Sequence, residues 1–155
     1  MIRKFTAAII FAITLALSGC ASLPMASESA DMQAKSFTPT TDQASLYIYR
    51  NESLGRAVKM TVLIDGAPVS QTVAESYIHL TLPPGEHVIL SKAENDASIN
   101  IDMQAGQTYF VWQEVKMGVL SARSALHVVD AQKGRSGVEQ STLIQTPSHE
   151  GNASH

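Results

Sequence analysis

Apolar and polar positions alternate over most of the chain after residue 44. Val58, Met60, Val62 and Ile64 interleave with Lys59, Thr61, Leu63 and Asp65, the period of two that buries one face of a strand. Leu46-Tyr47-Ile48-Tyr49-Arg50 is aromatic and β-branched, and Val69 to Val73 makes a short piece. In Tyr77 to Leu82, Ile78, Leu80 and Leu82 share one face, opposite Tyr77, His79 and Thr81. His87 to Leu90, Ile99-Ile101-Met103, Thr108 to Val115 and Leu126 to Val129 follow. Turn chemistry separates these runs: Asp65-Gly66, Pro83-Pro84-Gly85-Glu86 and Ala105-Gly106-Gln107, where Gly accepts positive φ and Pro presets a turn corner. The Pro84-Gly85 turn predicts a hairpin with Leu82 opposite His87. About seven short strands without a sustained helical period predict an all-β fold over residues 37–130. The natural solution is a small antiparallel β-sandwich, immunoglobulin-like or prealbumin-like.

The first residues follow another pattern. Arg3 and Lys4 precede an uncharged apolar run from Phe5 to Leu17, and Ser18-Gly19-Cys20 follows. A basic start, a short apolar stretch and small residues describe a cleaved signal peptide over residues 1–19. A run of about a dozen residues is short of the roughly 20 that span a bilayer. Leu17-Ser18-Gly19-Cys20 resembles the bacterial lipobox. That resemblance implies a diacylglyceryl group on the Cys20 sulfur, acylation of the new amino terminus, and the bilayer as a partner. Residue Ala21 stands where an Asp commonly signals inner-membrane retention, which favours the outer membrane with the domain facing the periplasm. Residues 20–36 are small and polar and read as a flexible tether. In the C-terminal extension, 131–155, residues 134–146 suit a short helix or a segment along the sandwich, and 147–155 read as disordered.

Without Arg3 and Lys4, the eleven Lys and Arg fall to nine against fourteen Asp and Glu, a charge near −5. With no basic cluster, nucleic acid is disfavoured as a partner. Cys20 is the single cysteine, so the domain has no disulfide, thiolate nucleophile or thiolate metal site. His79, His87 and His127 raise the question of a metal. In the expected hairpin His79 and His87 are several rungs apart, and no H-x-H or H-x-x-x-H spacing occurs. No G-x-S-x-G elbow, paired-carboxylate arrangement or Gly-rich phosphate loop is present. No catalytic residue, metal or cofactor is therefore assigned. Tyr47 and Tyr49 point to one face of their strand, and Phe110 and Trp112 share a face of theirs. If that first face is open, Tyr47, Tyr49 and Arg50 make a platform for glycan rings or a protein. The alternative is that these aromatics fill a core.

Taken together, Leu46-Tyr47-Ile48-Tyr49-Arg50, Ile64-Asp65-Gly66, Pro84-Gly85-Glu86-His87 and Ala105-Gly106-Gln107-Thr108-Tyr109-Phe110 are familiar in order and spacing. Across residues 37–130 the chain resembles the uncharacterised bacterial lipoproteins of domain-of-unknown-function family 2846. That family often has two tyrosines where this chain has Tyr109-Phe110. A weaker likeness is to PEGA-type β domains. The resemblance implies a fold and a location and names no activity. The expectation is a non-enzymatic binding or structural module of the envelope, with a protein or glycan as partner. The alternatives are an enzyme acting on peptidoglycan-type material and a histidine-based metal or small-ligand carrier.

Overall fold

The computed structural model describes residues 23–56 and 58–146, so Cys20, the signal segment and the tail 147–155 lie outside the described residues. Among the described residues, nine strands form two packed sheets. They are β1 (Ala44–Arg50), β2 (Met60–Ile64), β3 (Ala67–Thr72), β4 (Ser76–Leu82), β5 (Gly85–Lys92), β6 (Asp96–Met103), β7 (Thr108–Met117), β8 (Ala122–Val129) and β9 (Thr142–Leu143). One sheet has the order β8-β7-β1-β4-β9 and the other β3-β2-β5-β6. The architecture is the β-sandwich that the alternation predicts.

The main core lies between the sheets. Leu46, Ile48, Ile78 and Val111 meet Val62, Ile64, Ile89 and Met103 across it, all at most 5 % exposed. A polar chain crosses the same interface. Thr72 donates to Gln113 (2.5 Å), Gln113 donates to Ser91 (2.6 Å), and Ser91 pairs with Ser124 (2.7 Å). Every side chain in it has a partner, which removes the cost of burying it.

Two details of the sheets differ from the sequence-based expectation. Pro83-Pro84 does not close a hairpin. Strand β4 pairs with β1 while β5 pairs with β2 and β6. Gly85, at φ 133, takes a backbone conformation open to glycine and carries the chain across the sandwich. The five-stranded sheet is also mixed: β1 runs parallel to β7, and β4 to β9. Parallel neighbours need a long connection, and the one between β1 and β7 contains the whole four-stranded sheet together with β4.

The segment read as a tether is folded from residue 23 onward. Met25 bridges Ile144, and helix α1 (Glu28–Ala34) is capped by Ser27. Lys35 donates to the Ser141 carbonyl and Asp31 accepts from the Leu143 N–H, which ties α1 to β9. Small polar composition hid these long-range bonds. Helix α2 (Ala131–Glu139), capped by Asp130, starts three residues before the span 134–146 where a helix or an extended segment was expected, and β9 then joins the sheet.

Candidate functional site

Tyr47, Tyr49, Phe110 and Trp112 do lie on one face, the outer face of the five-stranded sheet. That face is closed. Helices α1 and α2 cover it in a second cluster with Ala34, Phe37, Tyr77 and Val138. Tyr47 and Tyr49 are each 1 % exposed. Tyr47 stacks on His79 with centroids 4.2 Å apart and donates to the Ala34 carbonyl. Gly134 and Gly137 allow the close approach of α2, because a Cβ at either would clash with Phe110 or Tyr49. Arg50 is 0 % exposed and donates to the carbonyls of Val58, Leu54 and Gly55, pinning the loop after β1. The open platform of Tyr47, Tyr49 and Arg50 is thus corrected. The aromatic area is large enough to demand cover, and the chain's own helices provide it.

A cleft remains beside α2. It has a volume of about 430 Å³ and is lined chiefly by Tyr49, Asn51, Trp112, Asp130, Lys133 and Gln140. β1 and the residue after it supply Tyr49 and Asn51. β7 supplies Trp112, and one side of α2 with its cap supplies the rest. Trp112 donates its indole N–H to Glu52 (2.8 Å), and the Lys133 ammonium lies 4.4 Å from the ring centroid. Asn51 donates weakly to Gln140 (3.4 Å) across one end. Among the described residues, the Tyr49 hydroxyl donates to no group. Burial, then the charges of Glu52 and Asp130, push its pKa up to about 12, so it stays a neutral donor. The lining can hydrogen-bond a polar ligand from several sides. Sequence reasoning picked out Tyr49 but missed Asn51, Asp130, Lys133 and Gln140. Only the G-x-x-G spacing of Gly134 and Gly137 hinted that α2 packs closely on aromatic rings.

The three histidines sit apart. His79 is on β4 under α1, and burial lowers its pKa. His127 meets Glu114 at 2.7 Å beside Trp112. His87 faces inward from β5, with Asp65 at 2.7 Å on Nδ1 and the Pro83 carbonyl at 2.8 Å on Nε2. Among the described residues, no three His, Cys, Asp or Glu side chains are grouped to hold a metal. The His87 contacts explain two of the familiar motifs. Asp65-Gly66 turns with φ of 52 and 83, and Asp65 also accepts from the Val88 N–H. Thus Ile64-Asp65-Gly66 and Pro84-Gly85-Glu86-His87 are two halves of one staple. Tyr109 and the turn before it form another, with the Gln104 N–H donating to the Tyr109 hydroxyl.

The opposite end carries an exposed apolar tip on the β7–β8 turn. Met117, Val119 and Leu120 are 80, 89 and 94 % exposed. Glu94 holds the tip by accepting from the N–H groups of Val119, Leu120 and Ser121.

Comparison with known proteins agrees with the motif reading. The family model described as protein of unknown function, DUF2846, matches residues 40–125. An uncharacterised protein of Haemophilus influenzae is 32 % identical over 140 residues, covering 89 % of this chain and 83 % of that protein. The matched span runs from the entry into β1 through the Asp65–His87 staple and the Tyr109 turn to β8, and the chain belongs to the DUF2846 family.

Proposed function

We propose that the protein is a lipoprotein held by acylated Cys20 in the outer membrane, facing the periplasm, and that its sandwich is a non-enzymatic binding module of the cell envelope. The basic, apolar and lipobox pattern of residues 1–20 supports the anchor. The observation that carries the reading is where folding begins. Leu23, three positions after Cys20, already packs against the main core. Three extended residues reach only about 10 Å, so a lipid on Cys20 would hold the domain close to the bilayer rather than on a long leash.

Topology then orients the molecule. The chain enters beside β9, antiparallel to the segment through Ile144, so Leu23 lies toward the end of the sheet that holds Pro83. The tip of Met117, Val119 and Leu120 is on the other edge hairpin and at the other end. An anchor at Cys20 leaves that corner facing away from the bilayer. A binding role is supported by the cleft beside α2, whose lining carries amides, Asp130 and Lys133 and includes neither histidine nor thiol. A protein partner is the second reading, favoured by the exposed tip.

Palmitate labelling with membrane fractionation tests the anchor. The wild-type chain should incorporate label and sediment with the outer membrane, and Cys20→Ala should lose both. An unlabelled wild-type chain in the soluble fraction would refute the reading.

A further inference from the structure

The cleft beside α2 supports a step that rests on the binding-module reading and names its ligand class. Buried phenol groups ordinarily find a partner. In the same layer Tyr47 donates to the Ala34 carbonyl and Tyr77 to the Asp31 carbonyl. Tyr49, 1 % exposed, differs. Its ring passes under Gly137 into the floor of the cleft, and its hydroxyl has no partner among the described residues. A donor is therefore held ready at the bottom of a space of about 430 Å³, within the roughly 300–1,000 Å³ of small-ligand sites.

The groups around it define what fits. Asn51 offers its amide oxygen and a weakly engaged donor, Asp130 offers carboxylate oxygens, and Gln140 is held by its bonds to Ser136 and Asn51. Such planar groups suit vicinal hydroxyls, which donate and accept at once. Trp112 borders the cleft, with the Lys133 ammonium over its ring. Lys133 and Asp130 of the lining offset each other, and the Glu52 carboxylate stands beside Trp112 and Tyr49, so an anion meets no net positive field. We propose that this cleft binds a neutral saccharide of one or two rings, hydrogen-bonded by Tyr49, Asn51 and Asp130 and bordered by Trp112.

Trp112 is the single tryptophan of the chain, so its emission reports the site directly. The full-length chain, in a detergent without a sugar headgroup, is titrated with the N-acetylglucosamine disaccharide, cellobiose and maltose. Glucose 6-phosphate and galacturonic acid serve as charged probes. At least one neutral sugar should give a saturable change, weakened about tenfold or more by Tyr49→Phe and also by Asn51→Ala. Tyr49→Phe removes a hydroxyl that makes no hydrogen bond among the described residues, so its thermal melting should match the parent. No saturable change with any neutral sugar overturns the proposal. So does a change that Tyr49→Phe leaves intact, or a response confined to the charged probes. The titration does not depend on acylation, so its failure is separable from failure of the anchor.

Discussion

His87 is 7 % exposed, yet both of its ring nitrogens have acceptors, which suits the doubly protonated imidazolium. Burial pulls its pKa down, but the bonds to Asp65 and Pro83 and the Asp65 charge outweigh that, and the net shift is upward from 6.5. The His87 bond, the Val88 N–H and the imidazolium charge hold Asp65 below its ordinary 3.8. The signs define a window. The His87 contribution is complete below pH 6.5 and fades as pH rises through the raised value. The Asp65 contribution is complete above 3.8 and is lost as pH falls through the lowered value. Urea unfolding across pH should therefore show the largest gap between wild type and Asp65→Asn from pH 3.8 to 6.5. Because the carboxylate is half exposed, the gap should be about 1 kcal/mol or less. Asn accepts the positive φ at this turn, so a gap that is flat in pH would refute the ion pair.

At the scale of elements, α2 is explained by what it omits. Gly134 and Gly137 weaken a helix by about 1 kcal/mol each relative to Ala. Their replacement would nonetheless cost stability, since an added methyl at either meets an aromatic ring with no room. Gly137→Ala should lower the unfolding free energy by about 1–3 kcal/mol in urea titrations. Glu139→Ala, on the exposed side of the same helix, should be close to neutral. A stabilising Gly137→Ala would show that α2 does not seat on Tyr49 as described. The β4–β5 connection teaches the same lesson. Pro83-Pro84-Gly85 is turn chemistry in any context, but strand partners decide whether a turn closes a hairpin or changes sheets.

For the whole molecule, the boundaries matter most. Residues 37–130 hold eight of the nine strands, yet that fragment lacks both helices. Without α1 and α2 the rings of Tyr47, Tyr49, Tyr77 and Phe110 would face water as one apolar patch. A fragment of residues 37–130 should bind a hydrophobic dye and aggregate, whereas residues 23–146 should unfold cooperatively. A soluble, cooperative 37–130 fragment would contradict the role given to the helices. Residues 131–146 of the C-terminal extension are therefore part of the domain, and strand β9 and the residue after it bond both β4 and the segment at Met25.

The strands, their inward faces and the Asp65-Gly66 turn were legible in the sequence, because period-two alternation and positive-φ turn residues act over a few neighbouring positions. Family membership was legible for the same reason: its motifs are local turns and strand ends. The closure of the aromatic face was not. The alternation placed Tyr47 with Tyr49, and Phe110 with Trp112, correctly on shared faces. What covers them comes from segments 13 residues before Tyr47 and more than 80 after Tyr49, whose polar composition carries no sheet period. The staple between Asp65 and His87 and the cleft between Tyr49, Asn51 and Gln140 are likewise meetings of distant residues. Local chemistry writes strands and turns into the chain. Which strands become neighbours, and what space is left between them, is decided only when the whole apolar surface is buried at once.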